Sequence, residues 1–461
     1  MTHIDGFHGD LLVPGDPGYD AARHVFNRMI DRRPAAIARC ASTSDVVAAV
    51  DFARERGLLT AVRCGGHSAA GLSTCDDGLV IDLGGLRGLA VDPAARTVRA
   101  GGGVLWGELD AATQEHGLHT PGGRVTHTGV GGFTLGGGYG WTSSKRGLAC
   151  DNLLSAEVVL ADGSVVRASG SEHADLLWAL RGGGGNFGVV TEFELRLHPL
   201  GPIVLAGLML FGLERAGDVV RAWRDAADAA PDELSTACVV INAPPEPFVP
   251  PVLRGRPALA IPLLYVGDPD AGAAAVQPFR ALGPAADLVG PMPYTAFQAA
   301  LDHSAPQGFR NYFRGEYMRE LGDAAIDVFL ERGVELVALA PLNQAVIFRI
   351  GQAVAAVPER ATAFSHRDAA YLFHPISAWA EAADDERMIA ANRAFAAAMR
   401  PFATGASYLN FTPEAGRVRD AYGEDKYARL VALKDAYDPG NLFRLNQNVR
   451  PSRPAAEPAW A

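Results

Sequence analysis

Cysteine is scarce in this chain. Its five cysteines, at 40, 64, 75, 150 and 238 in 461 residues, form no CxxC pair and no metal-ligand spacing. That excludes a disulfide-stapled scaffold and leaves no metal site to expect. Positive charge is also short: 41 Lys and Arg against 52 Asp and Glu give a formal net charge of −11. Without a Lys/Arg-rich run, such a surface repels phosphate backbones and argues against nucleic acid as a partner. Clean apolar runs of membrane-spanning length are missing. The strongest, VELVALAPLNQAVIFRIGQAVAAV, is broken by Pro341, Asn343, Gln344 and Arg349 and reads as buried strands. The opening MTHIDGFHGDLL has neither a basic n-region nor an apolar h-region. With its sparse, reduced thiols, the expected location is cytoplasmic.

Glycine is plentiful, 52 residues against 30 prolines, and it clusters. The length favours more than one domain. In the first third, strands and helices alternate. STSDVVAAVDFARERG reads as a helix capped by Thr43 or Ser44 and stopped by Gly57, with LTAVR, GLVIDL and RTVRAGGG as strands and VLWGELDAATQEHG as a second helix. LSAEVVLADGSVVRAS predicts a hairpin about Asp162-Gly163. Near Gly201-Pro202 the texture changes to long strands, TACVVINA, PALAIPLLYVG and AAYLFHPISAWA, separated by helices. The expected fold class is α+β, with an antiparallel sheet covered by helices in the middle of the chain. The ending PSRPAAEPAWA, residues 451–461, reads as a loose tail.

Three glycine loops fall in the first 190 residues: VRCGGHSAAG around His67, THTGVGGFTLGGGYG at 126–140 and LRGGGGNFGVV at 180–190. Such tracts bring bare backbone N–H groups close to a ligand and suit an extended anion such as a dinucleotide pyrophosphate. GVGGFTLGGG imitates a Rossmann fingerprint, but it does not follow a first strand and no convincing acidic residue follows it. No GxxxxGK[ST] loop is present. From the residues alone His67 stands open between general base, metal ligand and loop histidine.

The segments VRCGGHS, THTGVGGFTLGGGYGW, GLACDNLLSAEVVLADG, LWALRGGGGNFGVVTEFE, YLNF and YDPGNLFRLNQNVRP together resemble the FAD-linked oxidases of the vanillyl-alcohol-oxidase (PCMH) type, in their berberine-bridge-enzyme-like branch. The resemblance implies a PCMH-type FAD-binding domain of two α/β lobes, built from residues 1–205 and 405–450, with residues 206–404 as the substrate domain. It implies FAD bound covalently, with the 8α carbon of the flavin joined to His67. A neutral imidazole is a sound nucleophile for that bond. Many relatives add a cysteinyl link at the position of Val125, so a single tether through His67 is expected, with Cys150 a buried apolar residue. The implied FAD contacts are Arg63, Cys64, Gly65, Gly66, Ser68 and Gly71 in the first loop, then Thr126, Gly129, Gly131, Gly132, Gly137 and Gly138, then Gly188 and Val190, then Asn446 and Asn448.

For the chemistry, the resemblance implies an oxidase acting on an alcohol or activated C–H of a small organic metabolite, with O2 as electron acceptor. Thr128 matches the position controlling oxygen access and is small. The pair His127-Thr128 resembles a bacterial biosynthetic subgroup, some of whose members use a flavin-N5-oxide. His127 either reaches the pocket or points away to the backbone. SYLNF reads as a strand with Tyr408 and Asn410 on one face. The resemblance makes Tyr408 the base and Tyr139 its support, while Phe411 replaces a tyrosine common in relatives. FRLNQN alternates likewise, placing Arg444, Asn446 and Asn448 together. Tyr265, Tyr317, Tyr371 and His374 are further candidates for the substrate side. A flavin dehydrogenase with another acceptor, and a flavin-holding protein without turnover, stay open as alternatives.

Overall fold

A computed structural model describes residues 3–414 and 418–453. The tail expected from residue 451 lies, from 454 onward, outside the described residues.

The first layer is a four-stranded sheet in the order Asp10–Leu12, Ala36–Arg39, Leu79–Asp82, Thr60–Arg63; its last two pairings are parallel. The helix Thr43–Glu55 covers it, laying Val46, Ala49, Val50 and Ala53 on Ala36, Ala38, Leu79 and Ile81. Its cap is Ser42, whose hydroxyl accepts the Asp45 N–H at 3.2 Å, one residue earlier than expected.

An antiparallel five-stranded sheet follows, in the order Leu89–Asp92, Thr97–Gly101, Val189–Arg196, Leu153–Val159, Val165–Ser169. The last two form the hairpin read at Asp162-Gly163. Its core takes in the helices Trp106–Gln114 and Ala174–Leu180, and the chain returns to it late: Leu430, Leu433 and Val449 pack there.

Between these passages runs a nine-stranded antiparallel sheet. Its central strands are Ile203–Phe211, Pro257–Tyr265, Leu234–Asn242, Gln344–Arg349 and Tyr371–Trp379, in that order. Strand alternation divides their side chains between two faces. Cys238, Val240, Ile261, Ile347 and Phe373 meet the helices Ala216–Asp228, Pro269–Arg280, Asp323–Val337 and Asp385–Met399. Val239, Ala260, Val346, Phe348 and His374, the alternate residues, face a cavity. Part of the long apolar run read as strands is helical: its VELV closes the helix Asp323–Val337, because Leu336 and Val337 reach the helix-side core. No helix among the described residues is long and apolar enough to cross a membrane.

Candidate functional site

One cavity of about 1110 Å3 joins the glycine loops to the free face of the nine-stranded sheet. The strand Thr60–Arg63 delivers the chain to its wall, and Gly66 turns it with φ +69°. The loops press backbone on backbone, since a Cβ at Gly65 would collide with Gly129 and one at Gly129 with the Cys64 thiol. Cys64, Gly65, Gly66, His67, Ser68, Thr128, Gly129, Gly131, Gly132, Tyr139, Gly188, Val190 and Asn446 all line the cavity.

His67 is held from two sides. Its ring stacks on Phe26, centroids 4.2 Å apart and 14° from parallel, and its Nε2 lies 2.7 Å from the Nδ1 of His127. Burial, and then the neighbouring His127, pull the His67 pKa down to about 3, so the ring is neutral at ordinary pH. His127 therefore meets His67 rather than lining the cavity. The Cys64 thiol is 3.5 Å from the Val104 carbonyl oxygen, and burial pushes its pKa up to about 11. Val125 lines the cavity with a side chain that has no nucleophile.

Several expected contacts sit elsewhere. The Arg63 guanidinium is spent on Asp82 at 2.7 Å and on the Ala22 carbonyl. Gly71 turns against Ile30, and Gly137 and Gly138 pack under Phe364 and Phe133. The Thr126 N–H and hydroxyl both go to Asp302, at 2.8 and 2.5 Å. Asn448 lies off the wall, its Oδ1 buried without a partner among the described residues.

The pairing of Tyr408 with Tyr139 needs a larger correction. SYLNF is not a strand: Leu409–Phe411 is a 3-10 turn, and FRLNQN forms no strand either. The Tyr408 ring is 2 % exposed and stands behind the wall, which Tyr139 and Asn410 occupy. Its oxygen receives the N–H groups of Gly138 at 2.9 Å and Tyr139 at 3.1 Å, and the Asn410 amide at 2.9 Å. Burial pushes its pKa up to about 12, against the pull of those donors. Tyr139 supports it through the backbone only, because the Tyr139 hydroxyl donates to the Arg349 carbonyl at 2.7 Å. In this geometry Tyr408 fixes the wall and does not reach into the cavity.

Of the substrate-side candidates, His374 lines the cavity, stacked on Phe411 at 3.9 Å. Its Nδ1 lies 2.6 Å from the Arg314 carbonyl oxygen, which fixes the proton there and leaves Nε2 as a neutral acceptor. Tyr317 packs near Tyr408, while Tyr371 and Tyr265 belong to the helix-side core. Three residues of consequence escaped the sequence reading: Phe26, Arg124 and Asp302. Only Arg124 had a local signal, a lone charge between two glycine motifs.

The wall fits the implied dinucleotide. Among the lining residues there is no Asp or Glu. A Cβ at Gly132 would meet nothing within 4 Å, so the bare backbone there opens into space. Gln447 lines the cavity with its Oε1 unpartnered among the described residues. Among the described residues no group of three or more His, Cys, Asp or Glu is placed to hold a metal.

Comparison with known proteins gives concordant matches. A family model described as an FAD binding domain matches residues 34–169, and one described as "Berberine and berberine like" matches residues 407–450. The (R)-6-hydroxynicotine oxidase of Paenarthrobacter nicotinovorans is 31% identical over 457 residues, covering 96% of this chain and 97% of that protein. An FAD-linked oxidoreductase of Dictyostelium discoideum is 30% identical over 415 residues, covering 88% and 86%. The crystal structure of 6-hydroxy-D-nicotine oxidase from Arthrobacter nicotinovorans superposes with a TM-score of 0.86 at 29% identity, covering 96% and 98%.

Proposed function

Because the chain belongs to the berberine-bridge-enzyme-like FAD-linked oxidoreductases, we propose that it is an oxidase of a small organic molecule, with FAD held by one covalent bond to His67 and O2 as the electron acceptor. The carrying observation is the continuity of the cavity: the His67 loop and the apolar face of the nine-stranded sheet bound the same space. When bound, FAD supplies a ring that takes a hydride from the substrate.

The chain's residues do the rest. Gly132 leaves bare backbone open to the cavity for the cofactor, while Gly65 and Gly129 let the loops that form the wall pack closely. His67 supplies the tether. Its Nε2 is engaged by His127, and Nδ1, without a partner among the described residues, is left as the bonding nitrogen. A second tether is disfavoured by two facts: Val125 has no thiol, and burial keeps the Cys64 thiol protonated. Thr128 leaves room for O2 beside the loop. Val239, Ala260, Val346 and Phe348 make the substrate side apolar and exclude water. The relatives' action on nicotine derivatives supports a small heteroaromatic or similar organic molecule as substrate.

The test is a visible spectrum of the purified protein, anaerobic bleaching by a panel of small alcohols and amines, and readmission of air. Recovery of the yellow colour within seconds supports the oxidase. Recovery only with an artificial acceptor favours the dehydrogenase, which Thr128 argues against.

A further inference from the structure

Arg124 is half-buried, with its Nε and Nη2 sealed from water, and differs from the buried arginines of the chain. The buried Arg23, Arg63 and Arg367 are each paired with a carboxylate, Asp31, Asp82 and Asp151. Arg124 forms no ion pair among the described residues and lines the cavity. Its guanidinium lies over three rings, 4.0 Å from the centroid of Phe348, 4.5 Å from Tyr139 and 4.7 Å from Trp141. Of its five N–H donors, one reaches the Tyr139 carbonyl at 3.2 Å, while Nε and Nη2 have no partner among the described residues. Burial lowers its pKa to about 10, which still leaves it charged at neutral pH.

A cation in a poorly solvated wall is costly unless something neutralises it. Rings offset part of that cost. The remaining donors and the charge have no counterpart among the described residues, and no Asp or Glu of these lines the cavity. The charge is therefore open to pair with an anionic ligand. The glycine loops that suit a pyrophosphate are a different part of the wall; Arg124 sits against Phe348, on the sheet side.

We infer that Arg124 is the anion-recognition group of the substrate site, and that the substrate is an organic carboxylate with an apolar, ring-sized body. This inference rests on the reading of the cavity as a joint FAD and substrate site. The carboxylate meets the guanidinium edge. The body lies along Tyr139, Phe348 and Val346, and His374 Nε2 is available to accept a hydrogen bond from it. The charge-assisted contact orients the acid against the apolar face of the sheet.

The experiment uses the yellow holoenzyme and two probes of one shape, benzoate and the neutral benzamide, titrated by the change in the flavin spectrum and by calorimetry. The wild type is expected to bind benzoate about tenfold or more tightly than benzamide. Arg124→Gln is expected to lose that preference by weakening benzoate alone, and Arg124→Lys to keep part of it. Absence of benzoate binding by the wild type, equal binding of the two probes, or unchanged benzoate binding in Arg124→Gln would each overturn the inference. So would a variant that shifts the flavin reduction potential while binding benzoate normally, because the cation would then serve the cofactor. A protein purified without flavin would count against the oxidase reading instead, and calorimetry with benzoate would still decide the role of Arg124.

Discussion

The Nε2 of His67 and the Nδ1 of His127 are 2.7 Å apart, and the two rings lie 38° from coplanar with Phe26 stacked on the outer face of His67. A neutral imidazole has one lone pair and one proton, and the bond at one nitrogen decides the state of the other. In the tautomer whose Nε2 donates to His127, Nδ1 carries the free pair. His127 thus orients the His67 ring without lining the cavity.

Replacing that partner separates orientation from packing. His127→Leu keeps a side chain against Phe26 and removes the acceptor. The fraction of flavin retained after acid precipitation is expected to fall well below that of the wild type. Full retention would show that His67 needs no partner.

Asp302 clamps the loop that carries His127 and Thr128, through the N–H and hydroxyl of Thr126. Asp302→Ala leaves both groups without their acceptor. A loss of about 1–3 kcal/mol in urea unfolding is expected. An unchanged midpoint would mean that water replaces the carboxylate freely.

Thr128 lines the cavity with a small side chain. Thr128→Leu is expected to slow reoxidation of the reduced enzyme by air about tenfold or more, a barrier increase of about 1.4 kcal/mol per factor of ten. Stopped-flow absorbance reads it directly, and an unchanged rate would remove Thr128 from the path of O2.

The pH dependence of stability has a definite sign. His119 is fully buried with both ring nitrogens unpartnered among the described residues, and burial holds its pKa well below the ordinary value. The unfolded chain takes up the proton near pH 6.5 and the folded chain does not. Its contribution is therefore complete above that pH and is lost as pH falls, at up to about 1.4 kcal/mol per pH unit. Thermal unfolding between pH 7 and 5 is expected to show a shallower decline in His119→Phe than in the wild type; parallel declines would contradict this.

The glycine loops and the hairpin at Asp162-Gly163 were legible because they are local: backbone conformation and turn chemistry are written in consecutive residues. The sheet strands were legible as local runs of β-prone apolar residues, as in QAVIFR. Tyr408 misled for the same reason. YLN carries a strand's period, but its backbone tightens into a turn so that the phenol oxygen can meet Gly138, Tyr139 and Asn410. Phe26, Arg124 and Asp302 were not legible, because each acquires meaning from a residue far away in sequence: His67, Phe348 and Thr126. Convergence of this kind leaves no trace in spacing.

The most direct measurement concerns His67. The purified protein is precipitated with acid, the pellet digested, and the flavin-bearing peptide identified by mass. Yellow colour in the pellet, on the peptide containing His67 and on no cysteine, is the expected result. All colour in the supernatant, or a flavin attached to Cys64, would contradict the single histidyl tether.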